Sequence, residues 1–289
     1  MNNSNEPISA LVPKFIADLK DKDRSPSTIL AYGSDLEQLA EFTESKNIAR
    51  VEQIRAKDLD SFRDHLLAHK YTPKSASRKL NAVKTFFRWL KDEGYITKDV
   101  SQNVSHPKID APDPSFLSPI EYRALRDIVR SDSRIGAIVE LILQTGMRIS
   151  EVANLKFTNL KKDEVLVEAY ATQPERRIPL NNSAKGSIEA YLRVREDTDS
   201  PFLFVSKSGK PLAVRNIRAS IDRYMQKANI SNFSVNDLRN TFIIENIKRG
   251  VDLVTISQAA GHKRLSTTER YMELAETKES GHKPNLEEL

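Results

Sequence analysis

Apolar residues recur every three or four positions along most of this chain, and the breaks in that period divide it into elements. Ile8–Leu19, a segment opened by Ser25-Pro26, and Ala56–Ala68 each predict a short helix. Proline fits the first helical position because its missing N–H would have no partner inside the helix. From Lys70 to Lys91, Leu80, Val83, Phe86, Phe87 and Leu90 keep helical spacing among seven Lys or Arg and no acid. That predicts an amphipathic helix with a basic outer face carrying Lys74, Arg78, Lys79, Lys84 and Arg88. A solvated surface is the plain reading, but a face of one sign repels itself unless an anion meets it. Residues 105–116, SHPKIDAPDPSF, hold three prolines and almost no apolar period, and so predict a linker. The expected organisation is a helical domain over residues 1–104 and a second domain over residues 117–289.

The second domain opens with Ser118-Pro119-Ile120-Glu121, the form of a capping box. Ile135–Leu143 is apolar nearly all round and predicts a buried central helix. Val165–Glu168 and Arg177–Leu180 predict two short strands joined by a turn at Gln173-Pro174, and Phe202–Val205 predicts a third. Helices follow to the end. The fold class expected is mainly α with a small β-sheet.

Composition narrows the chemistry. The 289 residues contain no cysteine, which removes disulfide frameworks, thiolate metal sites and cysteine nucleophiles, and fits a reducing, cytoplasmic setting. No stretch is apolar enough to predict a membrane span, and the first 20 residues lack a secretion signal. The net charge of +5 permits a polyanionic partner without requiring one, and residues 1–113 are nearly balanced, with 18 basic and 17 acidic side chains. His65 and His69 lie four apart on a predicted helix but lack the glutamate and third ligand of a zinc motif, so no metal site is expected. Ser208-Gly209-Lys210 lacks the upstream glycine of a phosphate-binding loop.

A more specific series lies in the second domain. Thr145-Gly146-Met147-Arg148-Ile149-Ser150-Glu151 follows the buried helix, with Gly146 placed to end it and Ser150 placed to start the next, so that Arg148 projects from a short turn. Asn236-Asp237-Leu238-Arg239 opens a helix that ends before Gly250. Ala260-Gly261-His262 comes next, and Tyr271 lies nine residues beyond His262, on a helix expected to be capped by Ser266 and Glu269.

In this order the segments TGMRISEVANL, LRNTF and GHKRLSTTERY resemble the tyrosine recombinase family, the phage-integrase and Xer-type DNA strand-exchange enzymes. The likeness extends to SPSTILAYGSDLEQLAEF in the N-terminal domain. It implies a SAM-like core-binding domain and an α+β catalytic domain clamped on double-stranded DNA as a homotetramer, with no cofactor. It leaves room for a partner recombinase or an accessory protein. It also implies that Arg148 and Arg239 bind the scissile phosphate, that His262 hydrogen-bonds it, that Tyr271 attacks phosphorus, and that the tail after Tyr271 packs on a neighbouring protomer. The chemistry is coherent on physical grounds, because two planar guanidinium forks hold charge developing on the non-bridging oxygens. A phosphotyrosyl ester stores the bond energy for rejoining.

Two positions depart from the family pattern. Asn236 stands where a histidine is usual, and Ala171 stands where the resemblance places a lysine acting as general acid. Asn236 retains a hydrogen-bond donor, whereas Ala171 has no proton to give; Arg176, Arg177 and Lys207 are the nearest cations by sequence, and an arginine there would serve mainly as an electrostatic substitute. A binding module of the same ancestry with weakened catalysis is therefore a second expectation. A relaxing type IB topoisomerase is a third, disfavoured by the helical N-terminal domain and the chain length.

Overall fold

A computed structural model describes residues 6–109, 113–169, 173–206 and 208–277. Ala171, Lys207 and the tail beyond Thr277 lie outside the described residues. The chain divides into two compact units, Met1–Pro112 and Asp113–Leu289.

The first unit contains α1 (Ile8–Asp21), α2 (Pro26–Ser45), α3 (Ala56–Ala68) and α4 (Pro73–Asp92). Local chemistry sets the starts of α2 and α4. The Ser25 hydroxyl accepts from the Thr28 amide at 3.2 Å, Thr72 does the same for Ser75, and a proline opens each helix. The basic helix begins at Pro73 and not at Lys70, because Lys70 takes a left-handed backbone, with φ of 65°, in the turn after α3. All four helices supply one core, in which Phe15 meets Phe86 and Trp89 at ring separations of 5.4 Å.

The second unit begins with α5 (Pro119–Val129), whose capping box forms. Ser118 N–H donates to Glu121 at 2.7 Å, and the Glu121 amide donates to the Ser118 hydroxyl. The helix α6 (Ser133–Thr145) is buried almost all round and packs against α5, α8 (Asn182–Leu192), α9 (Val214–Lys227) and α10 (Val235–Lys248). Short α7 (Ile149–Ala153) follows α6. The chain closes through α11 (Leu253–Ala260), α12 (Ser266–Glu269) and α13 (Met272–Thr277).

The sheet has two strands, β1 (Glu164–Val167) and β2 (Arg176–Pro179), paired antiparallel with Glu164 opposite Pro179 and Val167 opposite Arg176. The third strand expected at Phe202–Val205 does not form. That segment divides its backbone between two neighbours, with Leu203 N–H donating to the Leu155 carbonyl at 2.7 Å and the Phe204 carbonyl accepting from Leu212. Only isolated bridges result, Lys156 with Phe202 and Val205 with Pro211. Among the described residues no helix is long and apolar enough to cross a membrane.

Candidate active site

The site is built on the turn between α6 and α7. Gly146 ends α6 in a left-handed conformation, with φ of 64°, and a Cβ there would run into the Phe242 ring of α10. Arg148, and not Ser150, is the residue that caps α7. Its amide donates to Glu151 at 2.8 Å, while Ser150 is exposed inside the helix. The backbone of Arg148 is thus pinned by the same carboxylate that pairs with its side chain at 3.0 Å.

Glu151 also receives Arg176 of β2 as a bidentate pair, at 3.0 and 2.7 Å, with both side chains largely buried. Burial alone would raise the Glu151 pKa, but the Arg176 bond, the Arg148 amide and the two positive charges outweigh it and hold the carboxylate below its usual range. Both arginines reach on to the carbonyls left unpaired at the end of α11. Arg176 Nε donates to Ala259 at 2.9 Å and Arg148 Nη2 to Gly261 at 2.8 Å. Gly261 has φ of 65°, and a Cβ on it would approach the Arg176 guanidinium carbon to 2.8 Å. One glutamate and two arginines therefore tie the α6–α7 turn, β2 and the α11 end into a single unit.

Arg239, on the first turns of α10, donates to the Gly146 carbonyl. Burial, followed by repulsion from Arg148 and Arg176, lowers its pKa to about 10, with Glu151 offsetting part of the effect. His262 follows Gly261, and its Nδ1 shares a hydrogen bond of 2.8 Å with the buried Thr268 hydroxyl. Burial, then the charges of Arg239, Arg148 and Arg176, lowers the His262 pKa to about 4, which leaves a neutral imidazole at pH 7.

Tyr271 lies in the break between α12 and α13. The expected cap by Ser266 and Glu269 does not form, because Leu265 takes the N-cap position in helical conformation and Ser266 is already inside the turn. The Tyr271 ring is nearly parallel to His262, with centroids 6.3 Å apart, and its hydroxyl donates to Asn240 at 2.9 Å. Burial raises its pKa against the opposing charge of Arg239.

Arg148, Arg239, His262 and Tyr271, spread over more than 120 residues of sequence, thus meet in one place. Asn236 is exposed on the first turn of α10. Sequence reasoning missed the parts played by Glu151, Thr268 and Asn240, and it offered Arg176 only as one of three cations near Ala171, whereas the structure pairs Arg176 with Glu151. Glu151 was visible inside the arginine motif, and the alternation of a strand separates Arg176, on the face of apolar Ile178, from Arg177, which pairs with Glu164 at the surface.

In the first unit, Lys74 and Arg88 are exposed on α4. Lys79 is not on an outer face. It is buried against Asp35 at 2.8 Å and lies over the Tyr71 ring. Arg78 binds the same carboxylate through two nitrogens, and Lys84 donates to the Val104 carbonyl at 2.7 Å. His65 and His69 stack with ring centroids 4.0 Å apart.

Fold and site together define a class, the tyrosine recombinases, in which a helical N-terminal unit precedes an α+β unit holding arginine, histidine and tyrosine in one cluster. The phage integrase family profile matches residues 115–278, and the profile of the phage integrase N-terminal SAM-like domain matches residues 12–94, so the chain belongs to the phage integrase family. It is 27% identical over 266 residues to the tyrosine recombinase XerC of Oceanobacillus iheyensis, covering 87% of each chain. Its fold is similar to the XerH site-specific recombinase bound to a palindromic difH substrate in a post-cleavage complex, with a TM-score of 0.77 at 17% identity over 94% of this chain and 83% of the other. It is also similar to a lambda integrase tetramer bound to a Holliday junction, with a TM-score of 0.73 at 18% identity over 89% and 77% of the two chains.

Proposed function

We propose that this protein is a Xer-like site-specific recombinase that cuts and rejoins duplex DNA through a 3′-phosphotyrosyl intermediate on Tyr271. The observation that carries the reading is the convergence of two arginines, a neutral histidine and a tyrosine held by separate elements. In the cleavage step the Tyr271 oxygen attacks phosphorus and the bond from phosphorus to the 5′ oxygen breaks. The phenol proton passes to solvent water, and neutral His262 hydrogen-bonds the scissile phosphate. Arg148 and Arg239 receive the charge that develops on the non-bridging oxygens. The departing 5′ oxygen takes its proton from water, since Ala171 offers none. Four protomers assemble on two DNA sites, as the likeness to a junction-bound tetramer supports. The protein works in the cytoplasm, where such DNA lies, alone or with a partner recombinase.

Binding-site selection from random duplexes, followed by a nicked suicide substrate of the selected site, tests the reading. Peptide mapping should place the DNA on Tyr271, and Tyr271→Phe should bind without trapping. Arg239→Lys should trap more slowly by roughly 10²-fold, because a point charge does not reproduce a planar fork. A 5′-phosphorothiolate version, whose sulfur leaves unprotonated, should be cut faster than the oxygen substrate. DNA found on a different tyrosine overturns the assignment.

A further inference from the structure

The Tyr271 hydroxyl is held by a residue that the cluster of arginines and histidine does not include. Asn240, one turn along α10, accepts its hydrogen bond at 2.9 Å. The orientation of the Asn240 amide follows from its other partners. Its nitrogen donates to the Ser115 carbonyl at 2.8 Å and to the Asp237 carboxylate at 3.2 Å, both of which are acceptors only, so the oxygen must face the phenol. Asp237 is itself buried and fixed, receiving Ser115 Oγ at 2.6 Å, Ser234 N–H at 2.7 Å and Ser234 Oγ at 2.9 Å. The support runs from the segment leading into α5, through the first turns of α10, to the phenol.

Tyr271 sits in the break between α12 and α13, where its backbone N–H bonds to Thr268 one turn back and its ring, partly buried, packs against the apolar clusters that hold Phe242 and Ile244 of α10, so that Asn240 is the polar contact that completes its support. A phenol free to change rotamer would meet phosphorus in line for only a fraction of the time. Asn240 cannot be the base, since a carboxamide takes up no proton at neutral pH. Arg239 and Asp237 of α10 and Arg270 beside the tyrosine supply the charges acting on the phenol. His262 stacks on its ring, and Glu273 and Glu276 of α13 are exposed.

We propose that Asn240 is the positioning residue of the nucleophile, its carboxamide oxygen fixing where the Tyr271 hydroxyl stands while Asp237 and Ser115 fix the carboxamide. The proposal rests on Tyr271 being the nucleophile. The test uses the full chain labelled with [13Cζ]tyrosine and the nicked suicide substrate of the selected site. In Asn240→Leu the Tyr271 Cζ resonance at pH 7 should move and single-turnover adduct formation should slow by about tenfold, with DNA affinity within about twofold of the parent. Asn240→His, which keeps one acceptor and one donor, should recover most of the rate. The proposal is overturned if Asn240→Leu leaves both resonance and rate unchanged. It is equally overturned if affinity and rate fall together without recovery in Asn240→His, or if Asn240→Leu does not fold and Asn240→His forms adduct no faster than Asn240→Ala. Adduct that persists in Tyr271→Phe would instead overturn the nucleophile assignment, and the Cζ resonance would still report the hydrogen bond.

Discussion

His262 and Glu151 give the site a pH dependence of stability whose sign follows from their directions. His262 in the folded chain protonates only near pH 4, whereas in the unfolded chain it protonates near about 6.5. Between those values the unfolded state binds the extra proton, so its neutral burial favours folding above the window and that contribution is lost as pH falls through it. Glu151 is depressed, and its contribution holds above the ordinary carboxylate range and is lost at still lower pH. Urea unfolding should therefore show the parent losing stability from pH 7 to pH 5, and His262→Gln losing less over the same interval. Equal losses in the two proteins would show that His262 is not kept neutral by its surroundings. Little of this could be read from sequence. The motif names His262, Arg148 and Arg239, but the low pKa arises from burial and from three guanidiniums contributed by the α6–α7 turn, β2 and α10, and only folding brings them together.

At the scale of elements, apolar spacing located α3 to the residue and α1 closely, because an apolar stripe of period 3.6 is a direct consequence of packing one face, while the capping box located the start of α5 and an all-round apolar run located the middle of α6. The errors have local causes. Phe202–Val205 has the composition of a strand but no continuous partner to pair with. Ser266 has a capping side chain but follows a residue already helical. Lys79 belongs, by its spacing from Ala76 and Val83, to the apolar stripe of α4, and the chain meets it there with Asp35 and the Tyr71 ring. The cations of the basic helix therefore divide into a buried, paired residue and exposed ones. Lys79→Met strands part of a buried carboxylate and should lower stability in urea unfolding by roughly 1–3 kcal/mol, Arg78 keeping the rest of the pair. Replacing exposed Lys74 and Arg88 with alanine should leave stability nearly unchanged and lower the salt slope of DNA binding by about 0.9 for each phosphate that is no longer neutralised. An unchanged slope in the double variant would identify α4 as a solvated face.

For the whole molecule, the two units have separate cores, and the junction between them is held at each end by a different unit. Residues 104–106 are tied to the first unit through Lys84 on Val104, Arg63 on Ser105 and Ser77 on His106. Residues 115–117 are tied to α10 through Asp237, Asn240 and Thr241. Lys108 falls between these two anchors, exposed and outside any regular element. Brief trypsin treatment should therefore cut first after Lys108. Every hydrogen-bond partner of Arg148, Arg176, Arg239, His262 and Tyr271 named above lies beyond the cut, so the larger fragment should keep its helical circular dichroism and its site. Its affinity for the selected duplex should fall by about 10²-fold or more, because the two units no longer raise each other's effective concentration on DNA. At saturating DNA it should still form the Tyr271 adduct. A fragment that unfolds after the cut would show that the second unit depends on the first for stability, and one that binds as tightly as the intact chain would show that the helical unit contributes nothing to the grip on DNA.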